Sequence, residues 1–280
     1  MFAGAKSSYE ESKFVILGVP FDKTSSFRVG SYQGPDAIRN ASFCFEPYMM
    51  EYGLSLSDIG IHDKGNLQDY ENVKDLGKDL EQAISKILDD GKVPIVLGGE
   101  HSISYFTVSG FKNKFEKIDV IVLDAHLDYR DEYEGNKYSH ATPVRRISEL
   151  DFVENLVVGG VRSMSKEESQ CDDISYITAD NFDSVELSNI FDENNPIYLS
   201  IDMDLLDPSY APGVGNPEPF GVEPRKIKKL IKRLSHLIVG MDIVETNPKF
   251  DVGEITSNLA ARFVYELLGA KQSKKNKKWY

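Results

Sequence analysis

Six side chains in this 280-residue sequence have the types and spacing of a metal centre. Asp124, His126 and Asp128 alternate in Asp124-Ala125-His126-Leu127-Asp128. Residues two apart on an extended segment point to one side, so a carboxylate, an imidazole and a carboxylate face one point. Asp202 and Asp204 repeat the spacing, and His101 closes Gly98-Gly99-Glu100-His101. Carboxylates packed this closely repel one another unless a cation neutralises them. Four carboxylates and two imidazoles without a thiolate suit manganese or another octahedral divalent ion better than structural zinc. Six such ligands are too many for one catalytic ion. Two ions sharing bridging aspartates, ~3.5–4 Å apart, is the natural arrangement, and water held there becomes a nucleophile near neutral pH.

The elements that must position these residues are legible as a strand–helix alternation. Apolar runs at Phe14–Val19, Val93–Leu97, Ile118–Leu123, Asn155–Val158, Ile174–Ile177, Ile197–Ile201 and Leu237–Ile243 are continuous, as in strands buried on both faces of a parallel sheet. Four of them run into ligand-type residues: Glu100-His101, Asp124 to Asp128, Asp202 to Asp204, and Asp242 to Glu245. Helical stripes cover Glu71–Asp90, Glu223–His236 and Glu254–Leu268, and Ser165 with Glu168 reads as a capping box that starts a further helix. Such an alternation gives an open α/β sheet or a closed barrel, and both put ligand sites at the carboxyl ends of the strands.

Composition narrows the function classes. With 41% hydrophobic residues the chain can build a large core, and no apolar run reaches the ~20 residues of a membrane span. The N-terminus is polar and lacks the apolar stretch of a secretory signal. Two cysteines, Cys44 and Cys171, make no disulfide framework and fit a reducing cytoplasm. The net charge of −13 repels nucleic acid and favours cationic ligands. Residues 271–280 oppose it with five lysines and no acid, and read as a frayed tail behind a single catalytic domain over 1–270.

The segments Gly98-Gly99-Glu100-His101-Ser102, Asp124-Ala125-His126-Leu127-Asp128 and Ser200-Ile201-Asp202-Met203-Asp204-Leu205-Leu206-Asp207-Pro208 resemble the arginase/agmatinase family, the ureohydrolases. The likeness runs from Gly18-Val19-Pro20, through Gly34-Pro35-Asp36-Ala37-Ile38-Arg39, to Glu245-Thr246-Asn247-Pro248. It implies a three-layer α/β/α sandwich around a mostly parallel sheet of about eight strands, two Mn2+ ions per chain and a homotrimer or hexamer. It implies that His101, Asp124, Asp128 and Asp202 hold one ion, that Asp124, His126, Asp202 and Asp204 hold the other, and that Asp124 and Asp202 bridge. Glu100 is no ligand in this pattern. His140 resembles the family's proton-shuttling histidine, and Glu245 the carboxylate that pairs with the substrate guanidinium. Metal-bound hydroxide would then attack the guanidinium carbon, His140 or Asp128 would deliver a proton to the departing amine, and urea would be released. His62 and His236 match no functional position.

The loop after Asp128, Tyr129-Arg130-Asp131-Glu132-Tyr133-Glu134, is acidic and aromatic. It resembles the agmatinase branch, and suits the ammonium end of a decarboxylated substrate. The expected reaction is therefore hydrolysis of agmatine to putrescine and urea. Guanidinobutyrate, aminopropylagmatine, arginine and a formimino-amino acid such as formimino-glutamate are alternative substrates. Ala141, Asn216 and Phe220 depart from the branch, the last two on an expected pocket loop. A mononuclear zinc amide hydrolase and a non-catalytic metal-binding homologue are the rival classes.

Overall fold

The computed structural model describes residues 1–183, 187, 189–191 and 194–273. Eight strands make one sheet in which every pairing is parallel. They are β1 (Phe14–Val19), β4 (Ile61–Asn66), β5 (Val93–Gly98), β6 (Ile118–Leu123), β7 (Val153–Val161), β8 (Ser175–Thr178), β9 (Ile197–Asp202) and β10 (Ile238–Val244). A small antiparallel hairpin, β2 (Tyr48–Met49) and β3 (Leu54–Ser55), stands apart. The spatial order is β4-β1-β5-β10-β9-β6-β7-β8. The strands β5 and β6, consecutive in the main sheet's chain order, are thus separated by the last two strands of the chain.

Six helices cover the sheet among the described residues: α1 (Gly34–Ala41), α2 (Val73–Asp89), α3 (Ile103–Ser109), α4 (Pro143–Ser148), α5 (Pro224–Leu234) and α6 (Ile255–Gln272). Strand residues alternate between two cores. Ile121 and Leu123 of β6 join Ile38 of α1, Ile227 and Leu230 of α5, and Val264 of α6. Val120 and Val122 join Leu80 and Ile84 of α2, Phe106 of α3 and Val144 of α4. Burying both faces is what makes the runs continuous rather than alternating, and the result is the expected α/β/α sandwich.

Local chemistry sets the helix ends. The Asn72 side chain accepts the Asp75 amide at 3.0 Å and starts α2, a cap worth about 1 kcal/mol. Pro224 opens α5, where its missing N–H costs nothing. Asp251 accepts the amides of Thr256 and Ser257, both at 2.8 Å, at the start of α6. The Ser165–Glu168 capping box forms, with both reciprocal bonds, yet it closes only the short 3-10 turn Glu168–Gln170 instead of a full helix. Nothing apolar at helical spacing follows to carry it on.

The strand missing from the sequence reading is β4, Ile-His-Asp-Lys-Gly-Asn. It is an edge strand paired only with β1, so its polar residues need no second core. Asp63 on it is paired by the Arg39 guanidinium of α1 at 2.9 and 3.0 Å. Of the lysine-rich C-terminal segment, Lys271 lies in the last turn of α6 and donates to the Ser235 and Ile238 carbonyls. Residues 274–280 lie outside the described residues. None of the described helices is long and apolar enough to cross a membrane.

Candidate metal centre and active site

The four strands that end in ligand-type residues lie side by side, β5-β10-β9-β6, in the middle of the sheet. Their register keeps the ends level. Ile243 pairs with both Leu97 and Ile201, and Ile201 pairs with Leu123. One residue further on, each strand reaches the same rim. Gly99 lets the turn after β5 pass under the segment after β1, because a Cβ there would lie 2.0 Å from the Phe21 carbonyl oxygen. The Glu100 amide donates to that same oxygen at 2.8 Å.

At the rim His101 Nδ1 sits 2.9 Å from Asp124 Oδ2 and 3.2 Å from both Asp128 Oδ2 and Asp202 Oδ2. His126 Nδ1 sits 3.0 Å from Asp204 Oδ2 and 3.5 Å from Asp124 Oδ1. His101, Asp124 and Asp202 form one group whose ligand atoms lie within 4.8 Å of one another; Asp124, His126 and Asp204 form a second, with Asp124 in both. The remaining oxygens are turned inward by backbone amides. Asp124 Oδ1 accepts from His126 N at 2.7 Å, Asp202 Oδ1 from Asp204 N at 2.8 Å, and Asp204 Oδ1 from Ala125 N at 3.2 Å.

These residues fit a cation better than they fit each other. His101 Nδ1 and Asp124 Oδ2 are buried and close, yet neither has a hydrogen-bond partner of acceptable geometry. Donor atoms converging on a common point look like this, and buried polar atoms otherwise find partners. The electrostatics agree. Burial, with the Asp204 and Asp124 charges beside it, raises Asp202 well above the carboxylate range. Burial and Asp124 push Asp128 up to about 7. Burial opposes ionisation of Asp124 too, but the His101 and His126 imidazoles outweigh it and hold that carboxyl low. Both imidazoles are raised in turn by their carboxylate neighbours against the cost of burial. In the protein alone, protons on the imidazoles supply positive charge that divalent ions would otherwise supply.

His140 and Glu245 face the same cavity, about 170 Å³, as His101, His126, Asp128, Asp202 and Asp204. The His140 ring lies between Ser26 Oγ at Nε2 and Ser139 Oγ at Nδ1, both at 3.2 Å, with Tyr133 edge-on at 5.5 Å. Burial lowers its pKa to about 4. Glu245 Oε1 accepts the His101 amide at 2.9 Å and Oε2 accepts Ser31 Oγ at 3.1 Å. Burial, then the Glu100 and Asp204 charges, push Glu245 up to about 8. Asp128 and Glu245 are both held in the left-handed region, at φ 50° and 61°. That conformation costs a non-glycine residue on the order of 1–3 kcal/mol and persists where the surrounding structure over-determines it.

The model of the arginase family matches residues 12–269. The chain belongs to the arginase family. It is similar to an agmatinase of Bacillus anthracis, 35% identical over 96% of this chain and 95% of that one. It is equally similar, at 35% over 93% and 91% of the two chains, to an N(1)-aminopropylagmatine ureohydrolase of Thermococcus kodakarensis. Among solved structures it resembles the agmatine ureohydrolase of Thermoplasma volcanium, with a TM-score of 0.91, 39% identity, and 97% and 94% of the chains covered. This arginase-family chain is thus a hydrolase of the ureohydrolase type.

The fold of this ureohydrolase corrects part of the substrate reading. Asp131 turns out of the cavity to Arg146 at 2.8 Å and Lys137 at 3.6 Å, and Glu132 and Glu134 are exposed. From that loop, Arg130 and Tyr133 line the cavity instead, and the carboxylate beside them is Glu168. Asn216 and Ala141 do line it. Phe220, expected there too, is 85% exposed and points to solvent. His62 bonds the Ser7 carbonyl, and His236 is exposed.

Two contributors were not foreseen. Arg162, at the end of β7, donates to six main-chain carbonyls, those of Gly160, Asp204, Leu205, Leu206, Glu218 and Pro219. It ties the segment after Asp204 to the loop that carries Asn216. A lone arginine after a strand carries no sequence signal of this role. Asp242, read as part of a ligand-bearing strand end, is fully buried within β10, one turn of the pleat below the rim. It accepts from Tyr198 and Ser200, both at 2.6 Å.

Proposed function

We propose that this protein hydrolyses the guanidino group of agmatine, releasing urea and putrescine, with two manganese ions held at the rim. His101, Asp124, Asp128 and Asp202 would hold one, and Asp124, His126, Asp202 and Asp204 the other. The observation that carries this reading is the sharing of one cavity by members of both ligand groups (His101 and Asp202, His126 and Asp204) with Glu245 and His140. The ions would acidify a water molecule and offset the carboxylate charge. The residues do the rest. Glu245, raised in the protein alone, would be returned to its ionised form by the positive charge of the ions and of the guanidinium, with which it pairs through parallel, charge-assisted hydrogen bonds, aiming the guanidinium carbon at the cluster. As water oxygen bonds to the guanidinium carbon and sheds a proton, His140, neutral at rest, takes up a proton and passes it from its ring nitrogen to the departing amine, while the C–N bond breaks and its electron pair leaves with nitrogen. Tyr133 packs edge-on against the His140 ring at the cavity wall.

A second reading rests on Arg130. Its guanidinium at the cavity wall favours a carboxylate at the far end of the substrate, as in guanidinobutyrate. One experiment separates the two: urea release from agmatine, aminopropylagmatine, guanidinobutyrate and arginine by the manganese-loaded protein. The expected result is the highest kcat/KM on agmatine. Release of urea from none of them would sink the reading. The absence of a disulfide between Cys44 and Cys171 suits a cytoplasmic enzyme. A trimer or hexamer completes the proposal.

A further inference from the structure

Glu100 is fully buried, adjoins a candidate ligand and holds no candidate ion. Its bonds run to a different part of the chain. Oε1 accepts Thr24 Oγ1 at 2.5 Å and Ser102 Oγ at 2.7 Å. Oε2 accepts Thr24 N at 2.9 Å and Ser25 Oγ at 3.2 Å. Three of the four bonds seize the loop after β1.

That loop reaches His140 twice. The His140 amide donates to Thr24 Oγ1 at 2.9 Å, across 116 residues of chain. Ser26 Oγ meets His140 Nε2 at 3.2 Å. A threonine hydroxyl has one proton and two lone pairs. The proton of Thr24 is spent on Glu100, so its lone pairs are left facing the His140 N–H. The chain of bonds therefore has one direction, His140 to Thr24 to Glu100.

We propose that Glu100 and Thr24 are positioning residues that seat His140, fixing its backbone through Thr24 and its ring through Ser26. The inference rests on the hydrolytic reading above for its kinetic consequence, and on the geometry alone for its structural one. Glu245 and the metal ligands keep their own partners when the Thr24 hydroxyl is lost. The loss should therefore fall on proton delivery rather than on substrate binding. Misplacement of a reacting group by about 1 Å costs on the order of 100-fold.

The test compares Thr24→Val, which removes the hydroxyl at nearly constant shape, with Thr24→Ser, which keeps it. In the manganese-loaded protein, Thr24→Val is expected to lower kcat by about 10- to 100-fold. Its KM should stay within about threefold and its manganese content unchanged, and Thr24→Ser should restore kcat to within about threefold of the parent. Hydrogen exchange of the His140 amide, read without substrate, should speed up at least tenfold in Thr24→Val and not in Thr24→Ser. Unchanged kcat in an active Thr24→Val enzyme overturns the proposal and leaves the function standing. So does equal damage from both variants, or a parallel fall of kcat, substrate affinity and metal content. If the parent protein releases no urea from any guanidino compound, the functional reading fails, and the exchange rate of His140 alone decides the seat.

Discussion

Ser200 Oγ lies 2.6 Å from Asp242 Oδ1 and 3.2 Å from His101 Nε2, so a buried carboxylate stands behind a candidate metal ligand. Because Ser200 gives its proton to Asp242, its lone pair accepts Nε2–H of His101. In the neutral, metal-ligating form of the ring, that leaves the Nδ1 lone pair aimed at the point shared with Asp124, Asp128 and Asp202. Groups that orient a ligating histidine typically matter by 10- to 100-fold in metal affinity. Ser200→Ala is expected to weaken manganese binding by about that factor, read by titration against a competing chelator. An affinity within twofold of the parent would show that His101 needs no such support.

Arg162 holds six carbonyls with one guanidinium. Hydrogen bonds to charged groups contribute about 1.5–3 kcal/mol each, and they are not additive. Arg162→Met is expected to lower stability by about 3–5 kcal/mol, because it removes a charged donor from each of these carbonyls, of which that of Leu205 keeps the Val222 amide at 3.1 Å. Lysine cannot replace the planar fork, so Arg162→Lys should recover less than half of the loss. Urea denaturation measures both. A loss below about 1 kcal/mol in the methionine variant would mean that water satisfies the carbonyls.

The titrations at the rim set a pH dependence for the metal-free protein. Burial raises Asp128 and Glu100 to about 7 and Glu245 to about 8, and Asp202, His101 and His126 are raised as well. Asp124 and His140 shift the opposite way and are outnumbered. Between about pH 5 and 8 the folded state therefore binds more protons than the unfolded chain, and its stability falls as pH rises. The Tm of the metal-free protein should decrease across that range. Manganese should reverse the trend and release protons on binding, which titration calorimetry in buffers of different ionisation enthalpy detects. A metal-free Tm that climbs with pH would refute this account of the cluster.

Glu245 is held at φ 61° with its carboxylate bonded by His101 N and Ser31 Oγ. Glu245→Gln keeps the shape and can keep one of those bonds, but it removes the charge that pairs with a guanidinium. The expected effect is a loss of about 100-fold or more in kcat/KM on agmatine with manganese content unchanged. Retention of the parent's kcat/KM would assign guanidinium recognition elsewhere in the cavity.

The ligand set was legible in the sequence because each pair is local. The two-residue spacing at the ends of buried runs flagged Asp124, His126, Asp128, Asp202 and Asp204 as candidates, but the chain does not stay extended there: Asp128 turns into the left-handed region and Asp204 sits in a 3-10 turn, Met203–Leu205. Largely apolar runs announced a sheet covered on both sides, and their polar ends announced the rim. What the sequence could not order was the sheet. Only the tertiary structure brings β5, β10, β9 and β6 into adjacency, because strand neighbours are chosen by crossover and packing rather than by chain order. The edge strand β4 escaped notice because a one-sided strand carries no continuous apolar run. The acidic residues 131, 132 and 134 suggested a cation pocket by composition, yet Asp131 found Arg146 and turned away. Thr24, Ser26 and Arg162 bear no motif of their own, and Ser200 was read only as the start of one. Their parts in the site come from hydrogen bonds to residues distant in the chain, and hydrogen-bond geometry exists only once the chain has folded.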